Sequence, residues 1–329
     1  MTAIAPALEA FFTERLARQR RASGHTVAAY RDTWRLLLAF ASQRAGKPPS
    51  RLDFADLDAP AIGAFLDHLE KDRGNSTRTR NARLAAVRSA FSYAALRHPE
   101  HAALIARVLA IPAKRADKAL VTWLTEEEVT ALLAAPGRVT RTSRRDHAML
   151  HLAVVTGLRV SELTALTRDS LHLGAGPHVT CQGKGRKQRV TPLTPAAVTV
   201  LREWLRELPA APAQALFPGR AGNHLSRDAV ERRLTLHAAA AAAECPSLAG
   251  KKISPHVLRH TAAMRLLHAG VEVSVIALWL GHEQTETAGI YLHADLKLKE
   301  KALARTTPPD ASPGRYRPPD PLLAFLESL

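Results

Sequence analysis

Cysteine is scarce in this chain: Cys181 and Cys245 are the only two in 329 residues. Two thiols cannot build a disulfide framework or a four-cysteine zinc site. Reduced thiols suit a cytoplasmic protein. Long apolar runs are missing as well, and nothing approaches the ~18 consecutive apolar residues that span a bilayer. The stretch Met1 to Gln19 carries Glu9, Glu14, Arg15 and Arg18 and lacks the apolar core of a signal peptide. Neither G-x-x-x-x-G-K-[ST] nor G-x-G-x-x-G occurs, so no phosphate-cradling glycine loop is indicated. Acidic residues are outnumbered, 30 against 46 Lys and Arg, leaving a net charge of +16. That excess points to a polyanionic partner, and nucleic acid is the obvious one.

What is present looks globular, with 46% hydrophobic and 23% charged residues. The length suits about two domains at roughly 100–200 residues each. Residues 1–112 read as a bundle of four amphipathic helices. The first runs from Pro6 to Arg20, and the second follows Thr26 as its cap. The third spans about Pro60 to Lys71, and the fourth about Thr77 to Arg97. Arg78, Arg80, Arg83 and Arg88 run along the fourth helix and are candidate DNA contacts. The polar stretch around Ala113 to Lys118 marks a linker, 113–122. Thr125 and Glu128 then form a capping-box signature that opens a second domain, 123–305. Helices are expected near 145–156, 161–166, 195–206, 226–243, 256–269 and 272–280. Two β-like pieces, His178–Gln182 and Gln188–Leu193, flank Gly183-Lys184-Gly185-Arg186-Lys187 as a hairpin. A proline-rich tail, 306–329, ends in the short apolar piece Pro321–Leu326. The expected fold is therefore mainly α with a small antiparallel β-sheet.

Four blocks carry chemistry. They are Thr156-Gly157-Leu158-Arg159-Val160-Ser161-Glu162-Leu163, the Gly183–Lys187 hairpin, His256-Val257-Leu258-Arg259-His260, and Leu280-Gly281-His282 with Tyr291 nine residues on. Each alone has an ordinary explanation: a surface arginine, a solvated turn lysine, a half-buried tyrosine. His256 and His260 stand at the i, i+4 spacing of a zinc pair. Arg259 between them would repel a cation, and no glutamate completes H-E-x-x-H, so no metal is expected. Together the blocks suit one reaction. Two arginines can clamp the non-bridging oxygens of a phosphodiester. Histidines can move protons, a lysine can protonate a leaving alkoxide, and a tyrosine hydroxyl can attack phosphorus. The cations supply the positive field that a metal otherwise provides, so no cofactor is called for.

In these motifs, in their order and in their spacing, the sequence resembles the tyrosine recombinases of the phage integrase and Xer type. The likeness spans about 120–305, and the helical bundle before it resembles more loosely the SAM-like core-binding domain of that family. The resemblance implies an α+β catalytic domain in which Tyr291 is the nucleophile. It implies that Arg159 and Arg259 hold the scissile phosphate, with Lys184 as general acid. His256 then acts on the tyrosyl proton, and His282 bonds the phosphate. Glu162 and His260 support the site. Lys184 is preferred to Lys187 because it matches the family's position, which leaves Arg186 and Lys187 to touch DNA backbone. The partners implied are double-stranded DNA and further copies of the chain in a tetrameric synapse, with a second recombinase or an accessory protein as a further possibility. The site of action would be the cytoplasm, at the nucleoid. The apolar tail could dock within its own chain or on a neighbour.

The extension beyond Tyr291, and the run Tyr291-Leu292-His293-Ala294-Asp295-Leu296, look more like integrases and transposases of mobile elements than like an Xer-type dimer resolvase. No additional arm-binding domain is expected ahead of the bundle. A type IB topoisomerase shares the chemistry, and a catalytically inactive DNA-binding regulator shares the charge.

Overall fold

A computed structural model of the chain describes residues 3–115, 121–183, 188–211 and 213–281. The chain divides into two compact units, Met1–Ala119 and Leu120–Leu329.

The first unit is a helical bundle. Helix α1 (Ile4–Ala10) continues through Phe11–Gln19 as a more widely wound, π-helical segment. Helix α2 (Gly24–Ala45) starts at Ser23, whose hydroxyl accepts the Thr26 N–H. The expected cap, Thr26, is thus the residue being capped, because a serine three positions earlier supplies the oxygen at the right reach. Asp58 caps α3 (Ala59–Lys71) and Ser76 caps α4 (Thr77–Ala95) in the same way. A fifth helix, α5 (Ala102–Ala110), corrects the four-helix expectation. Its sequence, Ala-Ala-Leu-Ile-Ala-Arg-Val-Leu-Ala, is shorter than the roughly 11–18 residues over which a helical period can be read. Phe11, Trp34, Phe54, Phe65 and Phe91 fill the core. Each such side chain contributes about 1.5–3 kcal/mol through burial.

The second unit is mostly helical around one small sheet. Helix α6 (Glu126–Ala134) opens with the full capping box, Thr125 and Glu128 each bonding the other's backbone N–H. Helix α7 (Arg141–Thr156) buries Ala148, Met149, Leu150, Leu152, Ala153 and Val154 almost completely. After the short α8 (Val160–Ala165) come β1 (Leu171–His172), β2 (His178–Gln182) and β3 (Gln188–Pro192), antiparallel in that order. Two-residue β1 was not expected, being too short to show alternation. Gln182 pairs with Gln188, so residues 183–187 connect the two hairpin strands. Helices α9 (Pro195–Leu205) and α10 (Arg227–Glu244) follow, then α11 (Pro255–His268) and α12 (Val273–Leu280). Met264, Leu267, Ile276 and Leu280 join the last two helices in a small apolar cluster. No helix among the described residues is long and apolar enough to cross a membrane.

Candidate active site

The site begins where α7 stops. Gly157 takes a left-handed conformation, φ +61°, and turns the chain out of the helix. That backbone favours glycine, and the space around it demands one. A Cβ at this position would stand 2.6 Å from Leu280 Cδ2 and 3.1 Å from the Ala262 methyl. The turn therefore sits against both α11 and the end of α12. Leu158 goes into the core, and Arg159 is left at the mouth of α8.

Arg159 is held at three points. Its backbone N–H donates to Glu162 Oε2 at 2.9 Å, and its Nη1 donates to Glu162 Oε1 at 2.8 Å. Its Nη2 donates to the Gly281 carbonyl at 3.1 Å. Glu162 is itself 5% exposed and serves two cations, since Arg189 Nη2 donates to Oε2 at 2.7 Å. A buried carboxylate needs such partners to offset its desolvation.

Arg259 fastens the opposite wall. It lies 5% exposed on α11 and donates Nη1 to the Gly157 carbonyl at 2.7 Å and Nη2 to the Leu280 carbonyl at 2.6 Å. One guanidinium thus ties the end of α7, the body of α11 and the end of α12. Arg159 keeps 31% of its side chain exposed, so the pair presents one open fork and one deeply set one. Both line a cavity of about 500 Å³, together with His256, Ser254 and Lys252. Arg227 and Glu231, themselves paired at 3.0 Å, line it from α10.

Partial burial, then the charges of Arg259, Arg227 and Arg159, hold the His256 imidazole below the ordinary histidine range. Burial, followed by His256 and Arg259, pushes His260 down to about 4. The two rings stack at 6.3 Å. Both are neutral at pH 7, so His256 can accept a proton rather than give one. No group of three or more His, Cys, Asp and Glu among the described residues is placed to hold a metal ion.

The structure brings together Arg159, Glu162, His256, Arg259 and His260 from the candidate set. Lys184, Arg186, Lys187, His282 and Tyr291 lie outside the described residues, as does the tail 306–329. The α4 arginines need correction. Arg78 is exposed and Arg83 half-buried, but Arg80 is 5% exposed and donates to the Pro112 carbonyl at 3.2 Å. Arg88 donates to the Ile111 carbonyl. These two hold the segment that returns after α5, instead of forming one exposed basic row. Overlooking α5 concealed that return.

Sequence reading also missed Arg189. Ordinary alternation on β3 would put Val190 inward and Arg189 outward. The register does the reverse: Val190 is 58% exposed, while Arg189, opposite Cys181, turns in.

Comparison with known proteins adds sequence likeness to this geometry. The family model described as "Phage integrase family" matches residues 122–297, and "Phage integrase, N-terminal SAM-like domain" matches 10–98. The integrase/recombinase y4rC of Sinorhizobium fredii is 55% identical over 326 residues, covering 99% of this chain and 98% of that one. Tyrosine recombinase XerC of Xanthomonas campestris is 34% identical over 286 residues, 87% of this chain and 84% of its own. Among solved structures, the Tn1549 transposon integrase in complex with transposon right-end DNA has a TM-score of 0.68 at 15% identity, covering 92% of this chain and 99% of that one. XerH bound to its palindromic difH substrate has a TM-score of 0.62 at 23% identity, covering 87% and 81%. At those identities the two structures speak for the fold alone.

Proposed function

The chain belongs to the phage integrase family of tyrosine recombinases, and from that premise we propose that it serves as the integrase of a mobile element, cutting and rejoining DNA at its own sites. The observation that carries the reading is the paired fork, Arg159 open and Arg259 set into the backbone, facing one cavity with a neutral histidine. The fork fits the two non-bridging oxygens of a phosphodiester. Its partners are backbone carbonyls and one carboxylate, so its geometry exists before substrate arrives.

In the proposed step, the Tyr291 hydroxyl attacks phosphorus. A P–O bond to tyrosine forms as the P–O5′ bond breaks. The phenolic proton passes to His256, and the departing 5′ oxygen takes one from Lys184. Arg159, Arg259 and His282 hold the phosphate oxygens. The 3′-phosphotyrosyl diester keeps the bond energy, and a new 5′-hydroxyl reverses the step, so rejoining needs no external energy. Arg78, Arg83, Arg186 and Lys187 are left as contacts to the DNA backbone, which carry affinity rather than sequence. Residues 1–112 would be the core-binding domain, with 123–305 catalytic. Double-stranded DNA and a tetramer of this chain are the expected partners.

The likeness to y4rC, an integrase/recombinase by name, over nearly the full length of both chains supports the integrase reading. The XerC likeness favours the alternative, resolution of chromosome or plasmid dimers.

Labelled, nicked DNA from the ends of the surrounding genetic element tests the chemistry. The nick lets the 5′-hydroxyl fragment leave, so a covalent adduct accumulates and shows on a denaturing gel. The adduct should form with wild type, persist in a chelator and vanish in Tyr291→Phe. An adduct that survives in Tyr291→Phe would give the nucleophile's role to another residue. Adduct formation on a chromosome-dimer site, and not on element ends, would support the resolvase.

A further inference from the structure

We infer that Arg189 is a positioning residue for the phosphate clamp, acting through Glu162 on Arg159. The inference rests on the recombinase reading above and adds a residue that the catalytic set does not include.

Arg189 has paid to be inward. Its place in β3 leaves Val190 58% exposed, while its own side chain is 10% exposed. A strand that buried its apolar residue and freed its charge would be the cheaper arrangement. Two further nitrogens, Nε and Nη1, are buried and find no hydrogen-bond partner among the described residues. A structural arginine would ordinarily satisfy its donors on backbone carbonyls, as Arg259 does. Arg189 makes one strong contact instead, to Glu162 Oε2 at 2.7 Å.

That contact lands on the group that orients Arg159. Glu162 Oε2 also accepts the Arg159 backbone N–H, and Oε1 accepts Arg159 Nη1. With Arg189 bonded to Oε2, the carboxylate is pinned in the rotation that offers Oε1 to the clamp. Arg189 touches the second anchor too. Its Nη1 would lie 2.9 Å from a Cβ at Gly281, and the Gly281 carbonyl is the acceptor for Arg159 Nη2. Both supports of the Arg159 fork therefore rest against Arg189. The pinning also ties the clamp to β3, the strand that follows the 183–187 connection.

The test compares two substrates in single-turnover cleavage. One carries the normal scissile phosphodiester. The other carries a methylphosphonate there, which is neutral and has less need of a cationic clamp. Arg159→Ala should lose most of its rate on the phosphodiester and much less on the methylphosphonate. If Arg189 acts through Arg159, Arg189→Met should follow that pattern. The expected loss is about 100-fold on the phosphodiester, the size of a misplaced catalytic group, and only a few-fold on the neutral analogue. DNA affinity should stay within a few-fold, and the double variant should be no slower than Arg159→Ala. Arg189→Lys, which keeps a cation but loses the fork, should fall between wild type and Arg189→Met, and it carries the test if Arg189→Met does not fold. Equal losses on both substrates, or additive losses in the double variant, would overturn the inference. A second reading needs no catalysis. The Arg159 guanidinium ¹⁵N signals should show hindered rotation in wild type and freer rotation in Arg189→Met, and unchanged signals would also overturn it. Failure of the recombinase reading looks different, since wild type then forms no adduct on the phosphodiester, and the NMR comparison still decides the coupling.

Discussion

Gly157→Ala is the sharpest test of how the site is built. Two costs add at this position. The residue sits at φ +61°, which costs an alanine roughly 1–2 kcal/mol. Its new methyl would lie 2.6 Å from Leu280 Cδ2 and 3.1 Å from Ala262 Cβ. Leu280 belongs to the packed α11–α12 cluster and Ala262 is buried on α11, so they yield only by shifting, at about 1–3 kcal/mol. The expected destabilisation is about 2–5 kcal/mol. Gly137→Ala is the internal control: it lies in the same unit at φ +63°, with nothing within 4 Å of its would-be Cβ. It should show the backbone cost alone, about 1–2 kcal/mol. Urea denaturation followed by tryptophan fluorescence compares the two. The Gly157 carbonyl also holds Arg259 Nη1, so the same substitution should displace the deeper fork. Cleavage by the fraction that remains folded should then drop by about 100-fold, and for Gly137→Ala it should not. Equal stability losses in the two variants would refute the packing argument. A Gly157→Ala protein that cleaves normally when folded would refute the placement of Arg259.

Four further outcomes follow from the same contacts. Glu162→Ala leaves the deeply set Arg189 and the partly exposed Arg159 without their shared carboxylate, so thermal or urea unfolding should report a loss of about 3–5 kcal/mol. Arg80→Ala should destabilise the first unit by about 1.5–3 kcal/mol, because a buried guanidinium and its charge-assisted hydrogen bond to the Pro112 carbonyl are lost. It should leave the salt dependence of DNA binding unchanged, whereas Arg78→Ala should lower the slope of log K against log salt by ~0.9, one phosphate contact. His256 must be neutral to accept the tyrosyl proton, and its pKa is depressed, so the acid limb of the cleavage rate should lie below the ordinary histidine value of about 6.5; a limb above that value would remove His256 as the base. His260, at about 4 in the folded chain, favours the neutral form there. The stability it supports is present above the unfolded value of about 6.5 and falls as pH drops from there towards 4, by at most roughly 3 kcal/mol. Replacement by Gln should flatten that part of the stability–pH curve relative to wild type.

Local chemistry was legible in the sequence because it acts over a few residues. The Thr125–Glu128 capping box and the turn at Gly157 follow from neighbours three or four positions away. The hairpin pairing of His178–Gln182 with Gln188–Pro192 needs little more. The same holds for Arg159, His256 and Arg259, which stand in short motifs whose order resembles one family. Other features depend on contacts distant in sequence. Helix α5 is only nine residues long, shorter than the roughly 11–18 residues over which a helical period can be read, and the return of Ile111 and Pro112 across Arg88 and Arg80 appears only once that helix is folded. Thr26 yields its cap to Ser23 through backbone geometry that composition does not show. Arg189 turns inward because register sets strand facing, and register is decided by the whole hairpin and by the carboxylate waiting beneath it. The sequence by itself determined the residue types of the clamp and the local turns that present them. Tertiary structure alone decided which carbonyls hold each arginine and that Arg189 shares the Glu162 carboxylate, because those partners come from positions up to 122 residues apart and meet only when α7, α11, α12 and the hairpin close on one another.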